Sequence, residues 1–235
     1  MLTLLCCANT TAQTIGYRYK KCTLKYNKID EYNVEVAIQD NSLSEEKIYI
    51  PNEINYNDTM YYVIGIAEGA FSGNNHIKQV YFSDEADIKY IAEGAFSGCE
   101  RLIDIELPST LTEIAPYTFA WCKSLKYIEI HNLITKIGER AFTNCTNLAH
   151  VDMGENVEEI GNFAFAWCSS LNSITIPEKT RKLGYEIVQG NQNLDTIFYN
   201  AIDCRMSGAY YDERVERTIG AFEGNNGLRK CFFWR

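Results

Sequence analysis

The chain has 235 residues, 46% of them hydrophobic, enough apolar material to bury a core as one elongated unit or one to two compact domains, which excludes an intrinsically disordered chain. Thirty-one acidic against 22 basic residues leave a formal charge of −9, so a phosphate backbone is repelled and nucleic acid is excluded as a partner. Beyond the N-terminus no stretch approaches the roughly 20 apolar residues that a membrane helix needs, so no transmembrane segment is expected.

Met1 to Cys7 form a short apolar run, followed by Asn9, Thr10, Thr11, Ala12 and Gln13, with small side chains around Ala12 of the kind signal peptidase accepts. Residues 1–12 therefore read as a truncated signal peptide, since the run is short and no Lys or Arg precedes it. The alternatives are a segment that is no signal, or a lipid anchor at Cys6 or Cys7, for which Leu5 and Cys6 are the wrong preceding residues. The expected localisation is secreted or cell surface.

Residues 13–62 show strand alternation without a repeat: Tyr17 and Tyr19, then Val34, Val36 and Ile38, then Ile48 and Ile50 before Pro51. A small β-rich N-terminal cap is expected here, covering the apolar end that a first repeat would otherwise expose.

From residue 63 to 198 the chain repeats. Phe96, Phe119, Phe142 and Phe165 are 23 residues apart, and Phe71 precedes Phe96 by 25. Cys99, Cys122, Cys145 and Cys168 keep the same step, as do Leu102, Leu125, Leu148, Leu171 and Leu194, with Ile91, Ile114, Ile137, Ile160 and Leu183 in phase. After each Leu comes a short half-buried strand pattern, as in Leu102, Ile105 and Leu107 against Asp104 and Glu106. One such strand cannot bury its apolar side alone, so each unit must stack on the next. The expected fold is a leucine-rich-repeat solenoid with 23–25-residue repeats, parallel β-strands on one face and short helical or irregular arcs on the other. In the arcs each Phe plugs the core, and each Cys stacks beneath its copy in the next coil. The spacing is wrong for a metal cluster of the C-x-x-C type, so the thiols read as small buried hydrophobes with weak hydrogen-bonding capacity, with disulfide or metal roles as the alternative.

Residues 199–235 loosen into a degenerate or variant terminal repeat. Phe222 to Leu228 recovers the Phe-to-Leu spacing, and Cys231 and Phe233 take inward strand positions before the chain stops, as a truncated repeat would.

The outward strand positions form two rows. The first is Gln79, Asp104, Tyr127, His150, Ser173 and Thr196; the second is Tyr81, Glu106, Glu129, Asp152, Thr175 and Phe198. Glu106, Glu129 and Asp152 are expected about 5 Å apart on adjacent strands, where like charges oppose one another unless something positive lies over them. Either water screens the row, or the face docks a protein with Tyr81 and Tyr127 as anchors. Tyr81, Asp104, Glu106, Tyr127, Glu129, His150, Asp152 and Phe198 are the candidate binding face. Trp121 and Trp167 share one phase two coils apart, for packing at coil edges or for stacking on a sugar.

No catalytic constellation emerges. His76, His131 and His150 fall in different repeat phases, Gly-rich phosphate loops are absent, and the Asp104–Glu106 pair lies on an exposed strand face. The chain reads as a non-enzyme with no metal and no cofactor.

The run Ile-Gly-x-x-Ala-Phe-x-x-Cys-x-x-Leu at Ile137 to Leu148, with its copies between Val63 and about Phe198, resembles the leucine-rich repeats of BspA-like surface proteins. The strand-rich start is similar to that family's N-terminal cap, and the end to its longer variant coil. The resemblance implies a protein-binding surface used in adhesion to host matrix or to other cells. A glycan-binding module using Tyr and Trp faces, or an architectural spacer of a larger surface protein, are the alternatives.

Overall fold

The computed structural model describes residues 14–19, 22–39, 43–202, 204–206, 210–212, 217–219, 221–222 and 230–233. The signal-peptide and lipid-anchor readings of residues 1–12 lie outside them, as does Leu228 of the terminal repeat.

The chain begins with a sheet. β1 (Thr14–Tyr19), β2 (Cys22–Lys28), β3 (Asn33–Val36), β4 (Lys47–Ile50), β5 (Glu53–Tyr56) and β6 (Thr59–Ile66) follow in order, and all but β4 join in the order β1-β2-β3-β6-β5. Its inward residues Ile15, Leu24, Tyr26, Val34 and Val36 are buried. This sheet connects to the repeats through β8 (Tyr90–Ile91), which runs parallel to β6 beyond β7 (Gln79–Phe82). At that seam the Tyr90 ring lies flat on Gly65, where an added Cβ would come within 2.2 Å of it. The Tyr90 hydroxyl donates to Glu35 on β3 at 2.8 Å.

The repeats then contribute two strands per coil. One set is β9 (Asp104–Ile105), β11 (Tyr127–Ile130), β13 (His150–Met153), β15 (Ser173–Ile176) and β17 (Thr196–Tyr199). The other is β10 (Glu113–Ile114), β12 (Lys136–Ile137), β14 (Glu159–Ile160) and β16 (Lys182–Leu183), continued by β18 (Arg205–Met206) into a five-stranded parallel sheet. The register in both sets advances by 23 residues, as in Ile128 to Val151 and Ile137 to Ile160. An antiparallel pair, β19 (Tyr210–Asp212) and β20 (Arg217–Ile219), precedes β21 (Lys230–Phe233), which pairs with β17 and places Cys231 beside Ile197 and Phe233 beside Tyr199.

Between the strand sets lies one continuous core. Phe71, Phe96, Phe119, Phe142 and Phe165 form a stack of near-parallel rings, with centroids 5.1, 5.6, 5.4 and 5.2 Å apart. All five are buried, as are Ile77 and the leucines from Leu102 to Leu194 that share its phase. A 23-residue period brings identical side chains over one another, so an apolar choice made once is repeated down the whole core.

The arcs depart from the helical expectation: no helix occurs among the described residues. An α-helix would bond every arc amide four residues back within its own coil. Here the amides alternate. Ala95, Ser97 and Cys99 donate three residues back, to Ala92, Gly94 and Phe96, closing tight turns. Gly94, Phe96 and Gly98 donate instead to Pro116, Thr118 and Ala120 of the next coil, at 3.0, 2.9 and 2.7 Å. The irregular alternative was therefore the right one, with stacking between coils supplying the bonds that a helix would make internally.

Each arc needs two left-handed residues to sustain this path. One row is Gly69, Gly94, Tyr117, Arg140, Phe163 and Glu186; the other is Gly73, Gly98, Trp121, Asn144, Trp167 and Gly190, all with φ between 50° and 73°. For a residue with a Cβ this conformation costs about 1–2 kcal/mol.

Candidate binding face

The strand positions alternate as a half-buried surface should. In β11, Ile128 and Ile130 are buried while Tyr127 and Glu129 face outward. Along the first row, Gln79 pairs with Asp104, Tyr127 with His150 and Ser173 with Thr196. Along the second, Glu129 pairs with Asp152 and Thr175 with Phe198. Asp104, Glu106, Tyr127, Glu129, His150, Asp152 and Phe198 are exposed, and Tyr81 is half-buried. The face is not one unbroken ladder: β4-β7-β9, β11-β13 and β15-β17-β21 are separate hydrogen-bonded groups. Glu106 stands one residue past the end of β9, so only Glu129 and Asp152 of the three acids are direct ladder partners.

The centre of the face is a small polar-aromatic platform. The Tyr127 ring stacks on the His150 ring at 5.7 Å and 9°, and Tyr127 remains 41% exposed. Partial desolvation raises the Tyr127 phenol above its ordinary value, with the charges of Glu129 and Asp152 adding to it. Beside β13 an open groove of about 890 Å³ is lined by His150, Asp152, Met153, Thr175, Asn200 and Ile202 among others.

One strand pairing escaped sequence reasoning, although Ile48 and Ile50 mark the strand itself. β4 pairs with β7, setting Lys47 beside Gln79 and Tyr49 beside Tyr81, and the two tyrosine rings stack at 5.1 Å. The face therefore begins one strand earlier than the repeat does. A signal was present: Lys47-Ile48-Tyr49-Ile50-Pro51 follows the same pattern as Ser173-Ile174-Thr175-Ile176-Pro177.

The thiols do what their phase suggested, and more. Cys99, Cys122, Cys145 and Cys168 are buried, unbridged, and donate to the carbonyls of Phe71, Phe96, Phe119 and Phe142 in the preceding coil, at 3.1–3.2 Å. Asn191 continues the row by donating to Phe165 at 3.0 Å, and Asn74 begins it by donating to Leu43 at 3.0 Å. Burial pushes the Cys99 and Cys168 thiols up to about 12 and raises those of Cys122 and Cys145 well above the ordinary range. A thiolate nucleophile or metal ligand is not what such a site favours. Among the described residues no three His, Cys, Asp or Glu side chains converge as metal ligands would. Of the histidines, His131 is tied to the Pro108 carbonyl at 2.9 Å, His150 is stacked on Tyr127 and His76 is exposed.

Comparison with known proteins places this geometry. A family model described as the BspA-type leucine-rich repeat region, in six copies, matches residues 10–99 and 64–195. A Treponema pallidum leucine-rich-repeat protein of known structure is 28% identical, with a TM-score of 0.67 over 75% of this chain and 79% of that one. A leucine-rich cell surface protein from Faecalibacterium prausnitzii is 20% identical, with a TM-score of 0.65 over 82% of this chain and 56% of that one. A leucine-rich-repeat protein from Bacteroides ovatus is 21% identical, with a TM-score of 0.56 over 92% of this chain and 71% of that one. The last two likenesses are of fold alone, and the chain spans about half the length of the Faecalibacterium protein. No curated protein matches the chain. With the family model matching well over half its length, the chain belongs to the BspA-type leucine-rich-repeat family.

Proposed function

We propose that this chain is a protein-docking module of the cell surface, a solenoid of stacked repeats closed at its N-terminal side by the β1-β2-β3-β6-β5 sheet, whose outward strand face holds a partner in adhesion. Leucine-rich-repeat families are in general protein-interaction modules and not catalysts, which supports the class of function. The cell-surface description of the Faecalibacterium relative supports the location. Among the described residues no helix is long and apolar enough to cross a membrane.

The observation that carries the reading is the Glu129–Asp152 ladder pair. Two carboxylates stand in register beside the exposed Tyr127–His150 stack, and between Gln79 and Thr196 the two outward rows hold no Lys or Arg. Like charges directly opposite one another are unfavourable in an isolated sheet, and a basic partner surface relieves that cost on docking. Tyr127, and Phe198 at 38% exposure, supply the aromatic contact area that carries interface energy disproportionately.

The test is binding of residues 13–235 to immobilised matrix proteins and to whole cells at two salt concentrations. The expected result is salt-sensitive binding that the Glu106→Ala, Glu129→Ala, Asp152→Ala triple variant loses. Binding unchanged in that variant would remove the strand face from the function, and binding to nothing would favour an architectural spacer.

A further inference from the structure

The arc side of the coils carries a second surface, with chemistry different from the strand face. Trp121, Asn144 and Trp167 occupy one phase in three successive coils, and all three hold the left-handed backbone conformation that Gly73, Gly98 and Gly190 fill elsewhere in the same row. Glycine is the unstrained residue here, and a bulky aromatic is the least expected one. Burial does not explain the exchange, because Trp121 remains 40% and Trp167 39% exposed.

The surroundings define what the row could take. Successive coils are bonded backbone to backbone at this row, Trp121 to Thr143, Asn144 to Ala166 and Trp167 to Gln189. Neighbouring backbones are therefore about 4.8 Å apart, and those of Trp121 and Trp167 about 10 Å apart with that of Asn144 between them. The Asn144 side-chain amide offers two donors and two acceptor lone pairs, and no described residue engages it. Trp167 is braced from behind: its indole lies over Gly190, where a Cβ would come within 2.5 Å, and stacks on Phe163, whose ring is capped by the Arg140 guanidinium at 4.5 Å. The nearby charges are already matched, Lys123 to Glu100 at 2.7 Å and Arg140 to Glu139.

We propose that the Trp121–Asn144–Trp167 row is a binding site for a neutral, extended glycan. The two indoles receive the C–H faces of sugar rings two coils apart, and the Asn144 amide takes hydroxyls of the stretch between them. The row has no net charge to attract an anionic polymer, and the overall charge of −9 repels one. Proline-rich peptides also stack on aromatic surfaces, but they leave a central amide with fewer groups to bond. The site is independent of the strand-face reading, since it shares no residue with it.

The experiment is native electrophoresis of the whole chain through gels containing hydroxyethyl cellulose, xyloglucan or galactomannan, with hyaluronate as the anionic control and a polyproline decapeptide titrated by tryptophan fluorescence. Retardation by at least one neutral polymer and none by hyaluronate is expected. Trp121→Gly and Trp167→Gly should each weaken it about tenfold or more, while Trp121→Phe recovers part of the loss. Thermal melts report folding separately, and the glycine variants should melt no lower than about 5 °C below the parent because glycine suits the backbone here. The Glu106, Glu129, Asp152 triple-Ala variant should be retarded like the parent, which keeps failure of this site distinguishable from failure of the strand face. Absence of retardation by every neutral polymer, glycine variants that migrate like the parent, or fluorescence titration by polyproline alone would overturn the proposal.

Discussion

The two parallel strand sets run through the same coils, rise by the same step and differ in how their outward charges are matched. On the β10-β12-β14-β16 side the partners in register are Glu113, Lys136, Glu159 and Lys182, and alternating sign brings Lys136 to 3.6 Å from Glu113 and Lys182 to 3.4 Å from Glu159. On the β11-β13 side the partners are Glu129 and Asp152, of one sign, beside an exposed aromatic stack. A sequence that can alternate charge down one ladder can do so down the other. On the docking proposed above, the compensated side faces water and the uncompensated side is the one the partner covers.

The largest expected effect comes from breaking what the two sides share. Phe142 lies between Phe119 and Phe165 in the ring stack, and Phe142→Ala should cost roughly 3–5 kcal/mol in denaturant unfolding. A smaller loss would mean that neighbouring coils collapse into the space, and that the two sides are less rigidly joined than the stack implies.

Next in size is the thiol row. Cys145→Ala removes one of two donors to the Phe119 carbonyl, which keeps the Cys122 amide at 3.1 Å, and should cost about 0.5–1.5 kcal/mol. Cys145→Asn should be tolerated better, since Asn74 and Asn191 make the equivalent bond at the two ends. The pH dependence follows from the raised thiols. The unfolded chain releases these protons from about pH 9, while folded Cys99 and Cys168 keep theirs to about 12. Their stabilising contribution is complete below pH 9 and falls as pH rises across that window, by roughly 1 kcal/mol per pH unit for each thiol. Urea melts between pH 8 and 11 measure the slope, and it should be shallower in Cys145→Ala.

The smallest effects bear on the comparison most directly. Lys136→Glu would set three acids in a row on the compensated side and should cost about 0.5–1 kcal/mol, shrinking as salt is added. Asp152→Lys would compensate the other side, and should leave stability unchanged or raise it by a few tenths of a kcal/mol while weakening partner binding. If Asp152→Lys destabilises the fold instead, the acidic pair is serving the structure and not a partner.

Much of this was legible in the sequence because a repeat writes each contact several times. Phase alone identified the Phe stack, the thiol row, the buried leucines and which strand residues point outward. What escaped depended on the neighbouring coil or on an irregular step. The arcs could be read as helical because Ala-Phe-Ser-Gly-Cys suits a helical turn locally, and only the next coil's carbonyls divert every second amide. The pairing of β4 was hidden by its 32-residue distance from β7, outside the 23–25-residue period. Asn191 keeps step with Cys168 but differs in kind, so the donor row seemed to stop one coil early. The left-handed row could have been found, since Gly98 shares a phase with Trp121, Asn144 and Trp167. Where glycine alternates with bulky residues at one repeat position, backbone conformation is the common factor.

The alternation of arc amides has a consequence for how such a chain changes length. Each arc gives its outward-running amides to the coil after it and receives the same from the coil before it, so every interior coil presents the same donors on one side and the same acceptors on the other. Excising or duplicating one 23-residue unit between Phe96 and Phe165 rejoins matching seams, with the ring stack, the thiol bonds and the arc amides closing again on equivalent residues. Coil number is thus a nearly free variable of the architecture. The reach of its surfaces can be reset in whole units, whereas gain or loss of a few residues within a coil would throw all of these seams out of register at once.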